Sequence, residues 1–263
     1  MKIFLLCNTI SFFILAGCNI NAMQARKTPV RTALSQTTTQ ITTPEEIYSI
    51  GKNSEKIDTM GKYIIFPGVT IVADTSATDQ AFFEEIYAGL QRIPHLKEYY
   101  SLLPVDSYHM TTNNLYVKNH ARSWKEFEKE FKAGLFKKIH ETLQKDPIVP
   151  EVKLVSIKAE RTMAIILNAE KDQQDKIVNF GNKFKIEKFI PKPFHITLGY
   201  LYKDIPVSQQ IIIREKAGEL FNNLLVKYYS DKLDHVFVLR PTSLRYFNTM
   251  LEFYAWDGQN KPF

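Results

Sequence analysis

The stretch Phe194-His195-Ile196-Thr197-Leu198 alternates as a half-buried β-strand does, and Tyr108-His109-Met110-Thr111-Thr112 repeats its central pattern. In a strand, side chains two residues apart point to the same face. Each stretch therefore places a His and a Thr together on one face, with an apolar residue between them on the other. If the two strands lie side by side, they form one polar patch of a size that suits a phosphate group. Its members are His109, Thr111, His195 and Thr197.

A single His-x-Thr pattern has little value as a signal, because the chain contains a third copy, His140-Glu141-Thr142. The residues around this copy have helical periodicity, and residues two apart do not share a face of a helix. We therefore expect His140 on a helix surface, away from the patch. Two copies on predicted strands carry more weight than any one copy.

The paired motifs resemble the signature of the 2H (two-histidine) phosphoesterase superfamily, which includes RNA 2′,3′-cyclic phosphodiesterases and related 2′,5′-phosphodiesterases. Leu102-Leu103-Pro104, the following Ser107 to Thr111 and the upstream Pro67 to Ile71 resemble an uncharacterised bacterial branch of that superfamily. The likeness extends over residues 50–258. Thr112 departs from the family pattern, which usually has an apolar residue there.

The resemblance implies an α+β fold of two lobes related by a pseudo-twofold axis. Antiparallel sheets form a central cleft, helices lie outside, and each lobe contributes one motif. The resemblance also implies that His109 and His195 are the catalytic acid–base pair, and that Thr111 and Thr197 bind the phosphate. Imidazole titrates near neutral pH, which suits both proton transfers. Which histidine is the acid does not follow from the residues.

The implied activity is hydrolysis of a cyclic (2′,3′-type) or 2′,5′-linked phosphodiester of a nucleotide or RNA end. It requires no metal or other cofactor, and we expect a monomer. The alternative is a non-catalytic envelope lipoprotein that binds a nucleotide or RNA. The formal net charge of +6 favours an anionic ligand, although ordinary solubility explains so small an excess equally well.

Periodicity and turn residues predict the order of the remaining elements. Strands are expected at residues 63–73, 152–158, 162–169, 233–239 and 243–254. Helices are expected at residues 79–92, 124–143, 171–183 and 208–229.

Residues 1–17 have the features of a targeting signal, with Lys2 before an apolar run too short to span a membrane. The run ends in Leu15-Ala16-Gly17-Cys18, which resembles the bacterial lipobox and predicts lipidation of Cys18. The expected location is the cell envelope, with the protein lipid-anchored after cleavage at Cys18. The alternative is a secreted or periplasmic protein cut further on, for instance after Ala22.

Residues 18–45 are rich in Thr and Gln and read as a tether, because such a composition cannot bury enough surface to fold. Residues 46–263 are the expected phosphoesterase-like domain. The two cysteines, Cys7 and Cys18, both precede it. The domain therefore has neither a thiolate nucleophile nor a Cys-ligated zinc site.

Other candidates lack a partner motif. Core packing is the default for the tyrosines near the motif strands, although any of them is able to stack on a base: Tyr108, Tyr116, Tyr200, Tyr246 and Tyr254. Arg240 and Arg245 are either phosphate contacts or rim charges. The remaining histidines are expected to be structural or exposed: His95, His120 and His235.

Overall fold

The structure, a computed structural model, describes residues 45–230 and 235–263. The strands in this part are β1 (Ile47–Tyr48), β2 (Gly68–Asp74), β3 (Tyr100–Leu102), β4 (His109–Val117), β5 (Glu151–Ala159), β6 (Thr162–Ala169), β7 (His195–Leu201), β8 (Ile205–Pro206), β9 (Phe237–Val238), β10 (Ser243–Thr249) and β11 (Glu252–Ala255). The helices are α1 (Gln80–Leu90), α2 (Leu96–Tyr99), α3 (Ala121–Lys132), α4 (Leu135–Lys145), α5 (Lys171–Phe184) and α6 (Val207–Tyr229).

The two motif strands, β4 and β7, are neighbours at the middle of the main sheet. Its order is β11-β10-β2-β4-β7-β6-β5-β9, with β3 also pairing to β7. The pairings within it are antiparallel. Strands β1 and β8 form a separate antiparallel pair. The predicted α+β fold with antiparallel sheets and outer helices is confirmed.

The seam between β4 and β7 divides the sheet into two lobes. The first lobe contains β11, β10, β2 and β4, and the second contains β7, β6, β5 and β9. On the face away from the motif side chains, Met110 and Ile196 belong to one core with aromatic and aliphatic residues of α1 and α6. A second core packs α3 and α4 against β2 and β4. The helices thus pack their apolar sides on one face of the sheet and leave the opposite face, which carries the motif side chains, open.

Helix α3 ends sooner than the sequence pattern predicts. The single helix expected at residues 124–143 is two helices, with Gly134 between them at a φ of 70°. Glycine adopts this left-handed conformation without a steric penalty, so the chain turns there. The apolar stripe hides the break, because Phe127 in α3 and Phe136 in α4 pack into the same core.

The last predicted strand, residues 243–254, is a hairpin of β10 and β11 joined at Met250 and Leu251. The strand predicted at residues 233–239 is limited to β9 among the described residues. The predicted strand at 162–169 has the same bounds as β6.

Strand β4 has a β-bulge at Thr112, the residue that departs from the family pattern. Val72 lies opposite Thr111 and Ile71 opposite Asn113, which leaves Thr112 as an extra residue of β4. The buried Thr112 hydroxyl donates to the Ile71 carbonyl at 3.2 Å. The hydroxyl is thus satisfied within the sheet, which explains why a polar residue is tolerated here.

The predicted signal segment, the lipobox with Cys18, and nearly all of the predicted tether lie outside the described residues. Among the helices that the structure describes, none combines the length and apolar character needed to cross a membrane.

Candidate active site

In the pairing of β4 with β7, the histidine of each motif lies opposite the threonine of the other motif. Met110 lies directly opposite Ile196 in this antiparallel pair. The adjacent positions then place His109 opposite Thr197, and Thr111 opposite His195. Opposed Cβ atoms in such a pair lie about 5 Å apart and diagonal ones about 7–8 Å apart. Each histidine therefore faces the threonine of the other motif, and the two histidines occupy one diagonal.

The four motif residues line a single cleft of about 480 Å³. All four are half-buried, and their side chains point away from the core that holds Met110 and Ile196. The structure thus brings together the four residues of the two motifs. A ligand between the diagonal histidines has one imidazole on each side.

In each histidine, a hydrogen bond to the carbonyl two residues earlier sets the tautomer. The Nδ1–H of His109 donates to the Ser107 carbonyl at 2.7 Å, and that of His195 donates to the Pro193 carbonyl at 3.1 Å. Because a carbonyl only accepts, the proton of each neutral ring lies on Nδ1. In both rings this leaves Nε2 as the atom that accepts or delivers a proton.

The environment of His109 favours its neutral form. Burial, the largest cause, lowers the pKa of His109 from its ordinary value of 6.5, against the opposing hydrogen bond to Ser107. Among the nearby charges, Asp74 raises the pKa, whereas Arg245 and His195 lower it. The ring also packs against Phe253, with centroids 4.5 Å apart. This crowding keeps water away from one side of His109.

The hydroxyls of Thr111 and Thr197 are free to bind a ligand. In the described part of the chain, neither hydroxyl has a hydrogen-bond partner, whereas the neighbouring Thr70 and Thr112 bond to strand carbonyls. A hydroxyl in a cleft is able to donate to a non-bridging phosphate oxygen.

The tyrosines and arginines considered above differ in whether they line the cleft. Of the five tyrosines, Tyr200 lines the cleft, while Tyr108 and Tyr116 belong to the cores and Tyr246 stacks on Tyr254 at 5.1 Å. Arg245 forms an ion pair with Asp74, and Arg240 lines a separate pocket. Neither arginine lines the cleft.

The other histidines do not belong to the two strand motifs. His140 lies on α4 and lines a different surface pocket, as expected for the third copy. His120 lies at the cleft and pairs with Glu55 at 3.0 Å. His95 pairs with Glu98 on the surface, and His235 lies against Asp79 and Tyr229.

Several cleft residues carried no signal in the sequence. Aromatic side chains from distant parts of the chain line the cleft, namely Phe66, Phe189, Phe247 and Phe253. Lys56 lines it as well. None of them belongs to a motif, and only the fold places them beside the histidines.

No group of three or more His, Cys, Asp or Glu side chains in residues 45–230 and 235–263 is arranged to hold a metal ion.

Comparison with known proteins gives a family match for part of the chain. Residues 56–146 match the family described as 2H-phosphodiest: Domain of unknown function (DUF1868). This range contains the first motif. A search of curated proteins gave no match.

Among solved structures, the chain is similar to a conserved protein of unknown function from Agrobacterium tumefaciens strain C58. The two are 18% identical with a TM-score of 0.55, over 76% of this chain and 89% of the other. A likeness at this identity concerns the fold. The family match links residues 56–146 of this chain to 2H phosphodiesterases.

Proposed function

We propose that the protein is a metal-independent phosphodiesterase that hydrolyses a cyclic (2′,3′-type) or 2′,5′-linked phosphodiester of a nucleotide or RNA end. The observation that carries the proposal is the crossed register of β4 and β7. It places at one cleft two imidazoles that keep Nε2 free of the backbone contact, and two hydroxyls without a hydrogen-bond partner among the described residues. This is the set of groups that acid–base cleavage of a phosphodiester needs.

On a 2′,3′-cyclic phosphate the reaction uses one water molecule. One neutral histidine accepts a proton from the water at Nε2 while the water oxygen forms a new bond to phosphorus. The bond from phosphorus to one ribose oxygen breaks, and the charged histidine donates its Nε2 proton to that oxygen. The product is a phosphomonoester with a free ribose hydroxyl, and each histidine has exchanged its protonation state with the other.

We assign His109 as the base and His195 as the acid. His109 is the more enclosed ring, since it packs against Phe253, and its lowered pKa keeps it neutral. A base must be neutral before the reaction, so burial suits this role. Thr111 and Thr197 hold the non-bridging oxygens, on which negative charge accumulates in the transition state.

The lining of the cleft favours a nucleoside substrate over a simple phosphate ester. Phe189 and Phe253 are half-buried and keep part of their rings open, and Tyr200 forms another part of the wall. Aromatic faces in a cleft bind bases by stacking, which is tolerant of base identity. The sequence signal before the domain supports a lipid-anchored envelope enzyme. At that location, scavenging of cyclic nucleotides or attack on foreign nucleotides fits better than processing of cytoplasmic RNA.

The decisive experiment incubates the purified protein with 2′,3′-cyclic, 3′,5′-cyclic and 2′,5′-linked nucleotides. We expect hydrolysis in the first or third group, unchanged by EDTA. The double variant His109→Ala/His195→Ala serves as the control for contaminating activity. Turnover that the double variant retains would overturn the proposal. Inhibition by EDTA that an added divalent ion reverses would exclude the metal-independent mechanism.

A further inference from the structure

Lys56 places a positive charge in the wall of the cleft. Its ammonium lies 4.9 Å from the ring centroid of Tyr200 and 5.4 Å from that of Phe66, and all three residues line the same cavity as the motif histidines. The faces of two aromatic rings attract a cation and partly replace its hydration. The lysine is half-buried.

The backbone around Lys56 is anchored on both sides. The amide of Lys56 donates to the Asn53 carbonyl at 2.8 Å, and its carbonyl accepts from the Ile64 amide at 3.0 Å. Asn53 is buried, and its side-chain amide donates to the Leu201 carbonyl at 3.0 Å in the second lobe. Lys56 therefore approaches the cleft from a fixed segment.

Among the described residues, the Lys56 ammonium has no carboxylate partner. Glu55, the acidic residue that lines the cleft, pairs with His120, and Lys188 at the rim pairs with Glu126. In the described part of the chain, no carboxylate pairs with Lys56, and Lys52 adds a second cation to the same wall. A cleft that binds one phosphate between the histidines thus has two further cations, Lys52 and Lys56, in its wall.

We infer that Lys56 is a specificity-determining residue that binds a second phosphate of the substrate, separate from the one between the histidines. The inference rests on the proposed function and narrows its substrate class to nucleotides with at least two phosphates. Such a phosphate is either a terminal 5′-phosphate or the preceding linkage of an RNA chain. A lysine ammonium recognises both as a point charge.

The test compares three substrates: adenosine 2′,3′-cyclic phosphate, its 5′-phosphorylated form, and adenylyl-adenosine 2′,3′-cyclic phosphate. We expect the wild-type kcat/KM to be at least about tenfold higher for one of the two substrates with a second phosphate, equivalent to about 1.4 kcal/mol. Whichever of these two substrates is preferred shows whether the second phosphate is a terminal 5′-phosphate or the preceding linkage of an RNA chain. In Lys56→Gln the ratio should approach 1, whereas Lys56→Arg, which keeps the charge, should preserve most of it.

Lys118→Gln is the matched control. Lys118 makes the same type of contact, with its ammonium 5.8 Å from Trp124 and 5.4 Å from Phe263, but it does not line the cleft. This variant should keep the wild-type ratio. A wild-type ratio near 1, or a ratio unchanged in Lys56→Gln, would overturn the inference.

If none of the three substrates is hydrolysed, the 2′,3′-cyclic activity of the proposed function fails and binding decides the inference by itself. Calorimetry with adenosine 3′-monophosphate and adenosine 3′,5′-bisphosphate should then show tighter binding of the bisphosphate, and Lys56→Gln should abolish the difference. Equal affinities in the wild-type protein would reject the role of Lys56.

Discussion

At the residue scale, His109 and His195 are held in the same way by elements far apart in the chain. Each ring donates its Nδ1–H to the carbonyl two residues earlier, so each keeps Nε2 for the ligand. The strand period of two predicts that His and Thr share a face. It does not predict the tautomer, because the carbonyl contact depends on how the chain enters each strand.

The histidines provide the first prediction. His109→Ala and His195→Ala should each lower turnover by about 10²–10⁴-fold, the usual contribution of a general acid or base. The double variant should lose far less than the product of the two effects, because the pair acts as a unit. Steady-state kinetics on the preferred nucleotide measures all three. Wild-type turnover in either single variant would remove that histidine from the mechanism.

The second prediction concerns pH. If His109 is the base, kcat/KM falls on the acid side as His109 becomes protonated, and its lowered pKa moves that limb to lower pH. Phe253→Ala admits water to the ring, so the pKa of His109 should rise and the acid limb should move to higher pH. The alkaline limb, which reports the catalytic acid, should stay in place.

A pH–rate profile of both proteins checks this assignment. His195→Ala should remove the alkaline limb and leave the acid limb. If Phe253→Ala moves the alkaline limb instead, the roles of the two histidines are reversed.

At the element scale, the sequence predicts more of the sheet than of its irregularities. β6 and the order of strands and helices follow from period and turn residues, because each element buries one face. The bulge at Thr112 and the break at Gly134 do not follow, since each depends on packing against a distant strand or core. The lining of the cleft by Lys56 and Phe253 is likewise a product of tertiary structure.

Gly199 gives a prediction for the strands. A Cβ at this position would lie 2.6 Å from the Ser101 carbonyl oxygen and 3.1 Å from the Leu102 Cα, both of the backbone. Gly199→Ala should therefore push β3 away from β7 and lower the free energy of unfolding by about 1–3 kcal/mol. Because Thr197 is two residues away on β7, turnover should fall as well.

Gly218→Ala is the matched control, since nothing lies within 4 Å of a Cβ at that position of α6. This change should raise the free energy of unfolding by about 0.5–1 kcal/mol through helix propensity. Chemical denaturation of both variants measures whether the free energy of unfolding falls in Gly199→Ala and rises in Gly218→Ala. A Gly199→Ala protein as stable as the wild type would show that β3 shifts without cost.

At the scale of the whole molecule, the expected lipid anchor at Cys18 stays a prediction. Cys18→Ser should abolish lipid labelling and move the protein from the membrane fraction to the soluble fraction, because the acyl chains supply the membrane affinity. Hydrolytic activity should be unchanged, since the cleft is built from residues 52–253. Fractionation of cells that express either form measures the effect, and membrane association that survives the substitution would indicate another anchor.

The layout of the sheet also determines when activity arises during synthesis. The last strands of the chain are divided between the lobes, with β9 at the edge of the second lobe, and β10 and β11 in the first. Phe253, which shields His109, lies on β11. A growing chain that has already made both motifs still has neither lobe complete, and its long-range strand pairings form late. Catalysis therefore reports completed folding: a chain cut short after α6 contains all four motif residues and should hydrolyse nothing.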